Sequence, residues 1–171
     1  MSDLFSKITG EQNLLEKIAS KIPGFGGYIE KENRRAADKL LRQEVARRYE
    51  EQWARVSQIQ AELVSAGRIE LLDNLEAAAL KLRTFIDQMK TASYGYSGFF
   101  DAVKVKEDDL GRLYQFDNTL LENVGQVSAA VDNVQASLDT EGLPAAIRHL
   151  TTLAGDCNAT FERRAEVLTR G

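Results

Sequence analysis

Few residues in this chain have types and spacings that suggest chemistry. The first group lies in IPGFGGYIEKENRR, residues 22–35, where Pro23 and three glycines lead into a charged helical pattern. A glycine-rich turn opening a helix is the form of a phosphate cradle, because free backbone N–H groups and the helix dipole both favour an anion. Neither phosphate motif closes here. A GxGxxG loop starting at Gly24 needs its third glycine where Ile29 stands, and a GxxxxGK[ST] loop puts Ile29 at its second glycine. Both motifs also need a preceding buried strand, whereas an amphipathic helical pattern precedes this one. The stretch therefore reads as a chain reversal, with Gly24, Gly26 and Gly27 supplying backbone freedom and Phe25 and Tyr28 packing down.

The second group is charged. Arg34, Asp38 and Arg42 follow one another at four-residue steps, so they can form a ladder along one helix face. Asp117 stands in an otherwise apolar seam, where its charge must find a partner or be neutralised. Residues 31–48 carry seven basic and three acidic side chains, and residues 101–141 carry three basic and nine acidic, so these two segments should be neighbours. An arginine from the group Arg34, Arg35 and Arg42 is the natural partner for Asp117. The expectation is a partly buried network of Arg34, Arg35, Asp38, Arg42 and Asp117 that fixes helix register, with ligand binding the lesser use.

The remaining polar chemistry is sparse. His149 is the lone histidine, and the Glu-x-x-His motif of di-iron bundles fails because Ala146 stands three residues before it. Cys157 is the lone cysteine, which rules out an intramolecular disulfide or a multi-cysteine metal site. It falls on an apolar stripe between Ala154 and Phe161 and reads as a small core residue. No catalytic residue, metal or cofactor is expected.

Two apolar features remain as candidate surfaces. Tyr94, Tyr96, Phe99 and Phe100, spaced by Gly95 and Gly98, form an aromatic loop that either closes one end of the molecule as a plug or receives a partner's side chain. Leu4, Phe5, Ile8, Leu15, Ile18 and Ile22 make one face of an N-terminal amphipathic helix. That face suits a membrane surface, a partner or the chain's own core. Its lysines are balanced by Asp3, Glu11 and Glu16, so anionic lipid gains little from net charge.

The elements that must position these residues are helices. Ala37, Leu41, Val45, Tyr49, Trp53, Val56, Ile59 and Leu63 form one long stripe, starting from about Ile29. Leu72, Leu75, Ala79, Leu82, Ile86 and Met89 form the next. Extended backwards, this second stripe meets Arg68 and Ser65 and not Leu63, so a turn is expected near Gly67. Leu110, Tyr114, Asp117, Leu121, Val124, Val127, Val131, Val134 and Leu138 follow, with Glu107, Asp108 and Asp109 suiting the positive end of the helix dipole. Gly142 and Pro144 mark the last break before Leu143, Ile147, Leu150, Ala154, Cys157, Phe161, Ala165 and Leu168. Four long helices with apolar, coiled-coil-like seams predict an all-α, antiparallel four-helix bundle. The expected division is an N-terminal amphipathic helix over 1–22, a glycine-rich joint over 23–28 and the helical bundle over 29–171.

A formal charge of -4 disfavours general attraction to nucleic acid. Neither a signal-peptide core nor an apolar run of membrane-spanning length occurs, which points to the cytoplasm, with peripheral attachment at the inner face of the membrane as the variant. In architecture alone the pattern is similar to bacterial membrane-remodelling proteins that place an amphipathic helix before long helices. The register break at Gly67 and the aromatic loop depart from their long hairpin, and no family is assigned. The expected function is a non-enzymatic interaction or assembly module acting on a protein partner or on itself. A peripheral membrane protein is the alternative, and a small-ligand or metal-binding bundle the third reading.

Overall fold

The computed structural model describes residues 2–31, 34–91 and 107–169, which form an all-α molecule with no strand among them. Helix α1 spans Ser2–Lys21. It ends where Pro23 would break the ladder and where Gly24 turns left-handed at φ 89°. A short helix α2, Phe25–Glu30, follows directly. This helix departs from the simple reversal expected there: Gly26 and Gly27 sit inside a helical turn, and only Gly24 requires positive φ. Phe25 is fully buried, but Tyr28 is 41% exposed. On a single helical turn Phe25 and Ile29 share the inward face, which leaves Tyr28 at its edge.

Helix α3, Arg34–Ser65, is the longest element. Its stripe is buried as the periodicity requires, except that Trp53 is half-buried, with the Arg83 guanidinium 5.3 Å from its ring centre. Gly67, at φ 72°, closes α3: its N–H bonds the Val64 carbonyl at 3.0 Å and the Arg68 N–H bonds the Leu63 carbonyl at 2.9 Å. This paired closure is a Schellman motif, and it places the turn where the two stripes fall out of register. A 3-10 turn, Ile69–Leu71, leads into α4, Leu72–Thr91. Helices α5, Glu107–Ala136, and α6, Leu143–Thr169, are joined by a second tight turn in which the Thr140 N–H bonds the Ser137 carbonyl.

The four long helices share one core. Helix α3 packs on α4, α4 on α6, α6 on α5 and α5 on α3. Short turns at Gly67 and at Thr140 join α3 to α4 and α5 to α6, and each joined pair packs together. Cross-contacts between α3 and α5 advance together along both helices: Tyr49 meets Leu120, Arg55 meets Ser128, and Arg68 beyond α3 meets Leu138 beyond α5. These two helices therefore run in the same direction with no short turn between them. Hydrogen bonds bring together Asp38 and Arg42 of α3, Met89 of α4, Asp117 of α5 and Arg164 of α6.

Gly24 and Gly27 should respond oppositely to the same change. Gly24→Ala places a side chain in the left-handed region and should cost about 1–2 kcal/mol. Gly27→Ala sits in a helix with open space around it and should stabilise by up to about 1 kcal/mol. Urea unfolding of the two variants measures the difference.

Candidate functional site

The start of α3 presents Asp38 and Arg42 on one inward face because they are one helical turn apart. From α5, Asp117 enters the core at the seam position already evident in its apolar repeat. The residue that joins them comes from α6. Arg164, fully buried, donates from Nε to Asp117 Oδ1 at 2.6 Å and from Nη2 to Asp117 Oδ2 at 3.2 Å and Asp38 Oδ1 at 2.9 Å. Arg42 Nε donates to the other oxygen of Asp38 at 2.8 Å, and its Nη1 reaches the Met89 carbonyl at the end of α4, 3.2 Å away. All four long helices thus meet on one cluster of two guanidiniums and two carboxylates.

The four residues are 0–3% exposed, so water screens these charges little. Among the described residues two positive and two negative groups meet here, and the bidentate grip of Arg164 on Asp117 uses the planar fork that arginine alone offers. Burial pushes the Asp117 carboxyl above its ordinary range; Arg164, by charge and hydrogen bonding, pulls it down, Asp38 adds a like charge and Arg42 an opposite one. Burial is the larger influence. Breaking such a pair leaves an uncompensated charge inside, whereas replacing both members by apolar groups of similar size can be nearly neutral.

Among the expected network residues, the structure brings Asp38, Arg42 and Asp117 together. It corrects the donor assigned to Asp117: the direct hydrogen-bond partner is Arg164, with Arg42 held by Asp38. The side chains of Arg34 and Arg35 lie outside the described residues, as do those of Leu4, Phe5 and Ile8. Tyr94, Tyr96, Phe99 and Phe100 lie wholly outside them. Arg164 was legible only by a different count. The stripe through Phe161 and Ala165 steps over it, but Leu143, Leu150 and Cys157 are spaced by seven, and the next such position is 164. The buried heptad ends on a charge.

The N-terminal helices pack on the stretches of α3 and α5 that carry the cluster. Ile18, Ile22 and Phe25 are buried in the common core, and Leu15 is half-buried against it. Ile18 and Ile22, candidates for membrane or partner docking by sequence, are therefore enclosed by the molecule itself. Phe25 meets Tyr114 edge-on with ring centres 6.0 Å apart. Lys21 Nζ donates to Asn118 Oδ1 at 3.1 Å, and Arg48 Nη2 closes the end of α1 on the Lys21 carbonyl at 2.6 Å.

Other groups with chemical potential are distant from this cluster or enclosed. His149 is exposed. Tyr49 donates to the Leu120 carbonyl at 2.8 Å, and its oxygen accepts from Cys157 Sγ at 3.6 Å. Burial pushes the Cys157 thiol up to about 11, with the Tyr49 contact working the other way. Such a thiol stays protonated at neutral pH and is a poor nucleophile. Among the described residues no three His, Cys, Asp or Glu side chains are grouped to hold a metal ion, and no helix is long and apolar enough to cross a membrane.

Comparison of the chain with protein-family models, with curated proteins and with solved structures gives no match in any of the three. The cluster must therefore be interpreted from its own chemistry.

Arg164→Leu should cost about 3–5 kcal/mol at neutral pH, because two buried carboxylates then face one guanidinium. The double variant Arg164→Leu/Asp117→Leu should recover most of that loss, since Asp38 and Arg42 remain paired. Acid should also help the single variant. An Asp117 value raised above its unfolded value of 3.8 means that the fold binds the proton more tightly, so stability falls as pH rises through that window and returns as pH is lowered. Denaturant unfolding at neutral and mildly acidic pH measures both effects. Cys157 should not react with a thiol reagent in the native protein and should react fully once it is unfolded.

Proposed function

We propose that this chain is a non-enzymatic interaction or assembly module of the cytoplasm, built as a four-helix bundle of two antiparallel hairpins set side by side. In this reading residues 29–171 form the bundle, 1–22 the N-terminal helix and 23–28 the joint. The observation that carries the proposal is the inward use of its reactive side chains. Asp38, Arg42, Asp117 and Arg164 hydrogen-bond one another inside the core, and Cys157 and Tyr49 bond each other, so in this reading these groups hold helices instead of facing a substrate. A net charge of -4 makes nucleic acid an unsuitable partner. Val64, Ile69 and Leu80 are large apolar side chains more than half exposed, and they offer contact area on the outer surface.

The test combines two measurements on the intact protein. Light scattering over about a hundredfold range of concentration reports self-association, and co-purification from the native cell, followed by reconstitution from pure components, reports a saturable protein partner. Either a defined oligomer or a reconstituted complex supports the proposal. A monomer that forms no complex and sediments with liposomes overturns it in favour of a peripheral membrane protein.

A further inference from the structure

The helices α3 and α5 run side by side without a short connection, and two separate devices tie them at the same level. From inside the core, Arg164 bridges Asp38 on α3 to Asp117 on α5. From outside, the segment from Leu14 to Ile29 lies across the same two helices. Its α3 contacts are the Arg48 bond to the Lys21 carbonyl at 2.6 Å and the approach of Gly24 to Leu40, which a side chain there would meet at 3.7 Å. Its α5 contacts are the Phe25 edge on Tyr114, the Lys21 bond to Asn118 and an ion pair from Lys21 to Glu122 at 3.9 Å.

Part of the outer tie shares helical turns with the inner one, while Arg48 and Glu122 extend it further along α3 and α5. On α5, Tyr114 and Asn118 hold the outer segment and Asp117 holds Arg164. On α3, Leu40 lies against Gly24, while Asp38 and Arg42 lie in the cluster. The spacing of α3 and α5 that seats Phe25 is thus the spacing at which one guanidinium can reach both carboxylates.

The geometry points to a strap, residues 14–31, whose docking is coupled to the buried charge cluster: each is stable only while the other holds α3 and α5 together. Coupling of this kind is reciprocal, so loosening either tie must loosen the other. Docking buries the strap's own Ile18, Ile22 and Phe25, and its release would uncover them together with the α3–α5 seam. It is a conformational device in the fold itself and operates whatever partner the molecule takes.

Hydrogen exchange on the intact chain tests the coupling in both directions. Arg164→Lys keeps the charge but loses the planar fork, and Arg164→Leu removes both. In each, amides of residues 18–29 should exchange about tenfold faster, while amides of 59–63 and 131–134, at the far end near the Gly67 turn, stay within about twofold. Conversely, Phe25→Ala, which leaves the cluster residues intact, should accelerate exchange of residues 117–121 and 160–164 with the same far-end reference unchanged. Unchanged strap exchange in both Arg164 variants overturns the inference. So does an equal rise along the whole chain, or a Phe25→Ala variant that loosens only the strap.

Discussion

A guanidinium with no exposure to solvent is the constraint on which the described structure depends. Arg164 cannot shed its proton at any pH the protein meets, and a lone buried charge is among the most costly features a core can contain. It must therefore have carboxylates at fork geometry before that end of the core can close. The two carboxylates come from different helices, α3 and α5, and the second arginine, on α3, reaches the α4 backbone. One side chain on α6 is thereby linked, directly to α3 and α5 and through Asp38 and Arg42 to α4, with all the long helices.

Apolar seams alone leave that position poorly specified. A heptad-like seam slid by seven residues still places apolar groups opposite apolar groups, whereas a charge or a directed hydrogen bond permits one register. The α3–α5 pair, like α4–α6, has no short turn to align it. Its polar ties recur along its length: the Arg164 cluster, the Tyr49 bond to the Leu120 carbonyl, the Arg55 contacts to Ser128 and Asp132, and Arg68 on the Leu138 carbonyl. The α3–α4 and α5–α6 connections are the local turns at Gly67 and Thr140, and α3 and α4 add bonds from Gln60 to Glu76 and from Lys90 to Glu50.

This division explains what could be read without coordinates. The stripes of α3 and α4, the turn at Gly67 and the anomaly of Asp117 all arise from local periodicity or from one residue breaking it, so they are visible in sequence. The partner of Asp117 is not local. Charge balance between segments 31–48 and 101–141 pointed towards α3, and α3 does supply Asp38 and Arg42. The direct donor comes from a helix whose inward position at 164 becomes apparent only if the seven-residue spacing is preferred to steps of four. Tyr28 and the α2 helix escape local patterning for a related reason. Glycine tolerates helix as well as reversal, and the choice was made by burial of Phe25 and Ile18 against helices distant in sequence.

The N-terminal helix shows why amphipathicity does not by itself name what covers the apolar face. Lipid, a partner and the chain's own core all accept the row formed by Leu15, Ile18 and Ile22. The distinguishing features are polar and directional. A helix lying in a lipid interface has its terminal carbonyls satisfied by water or headgroups, and no particular side chain is needed at its end. Here Arg48 closes the end of α1 at the Lys21 carbonyl, and Lys21 itself is held by Asn118 and Glu122 on α5. These contacts have fixed partners and fixed geometry, and they sit beside the residues that hold Arg164. They tie the inner half of α1 to the protein's own helices, so any surface it offers elsewhere must come from its release or from its other half.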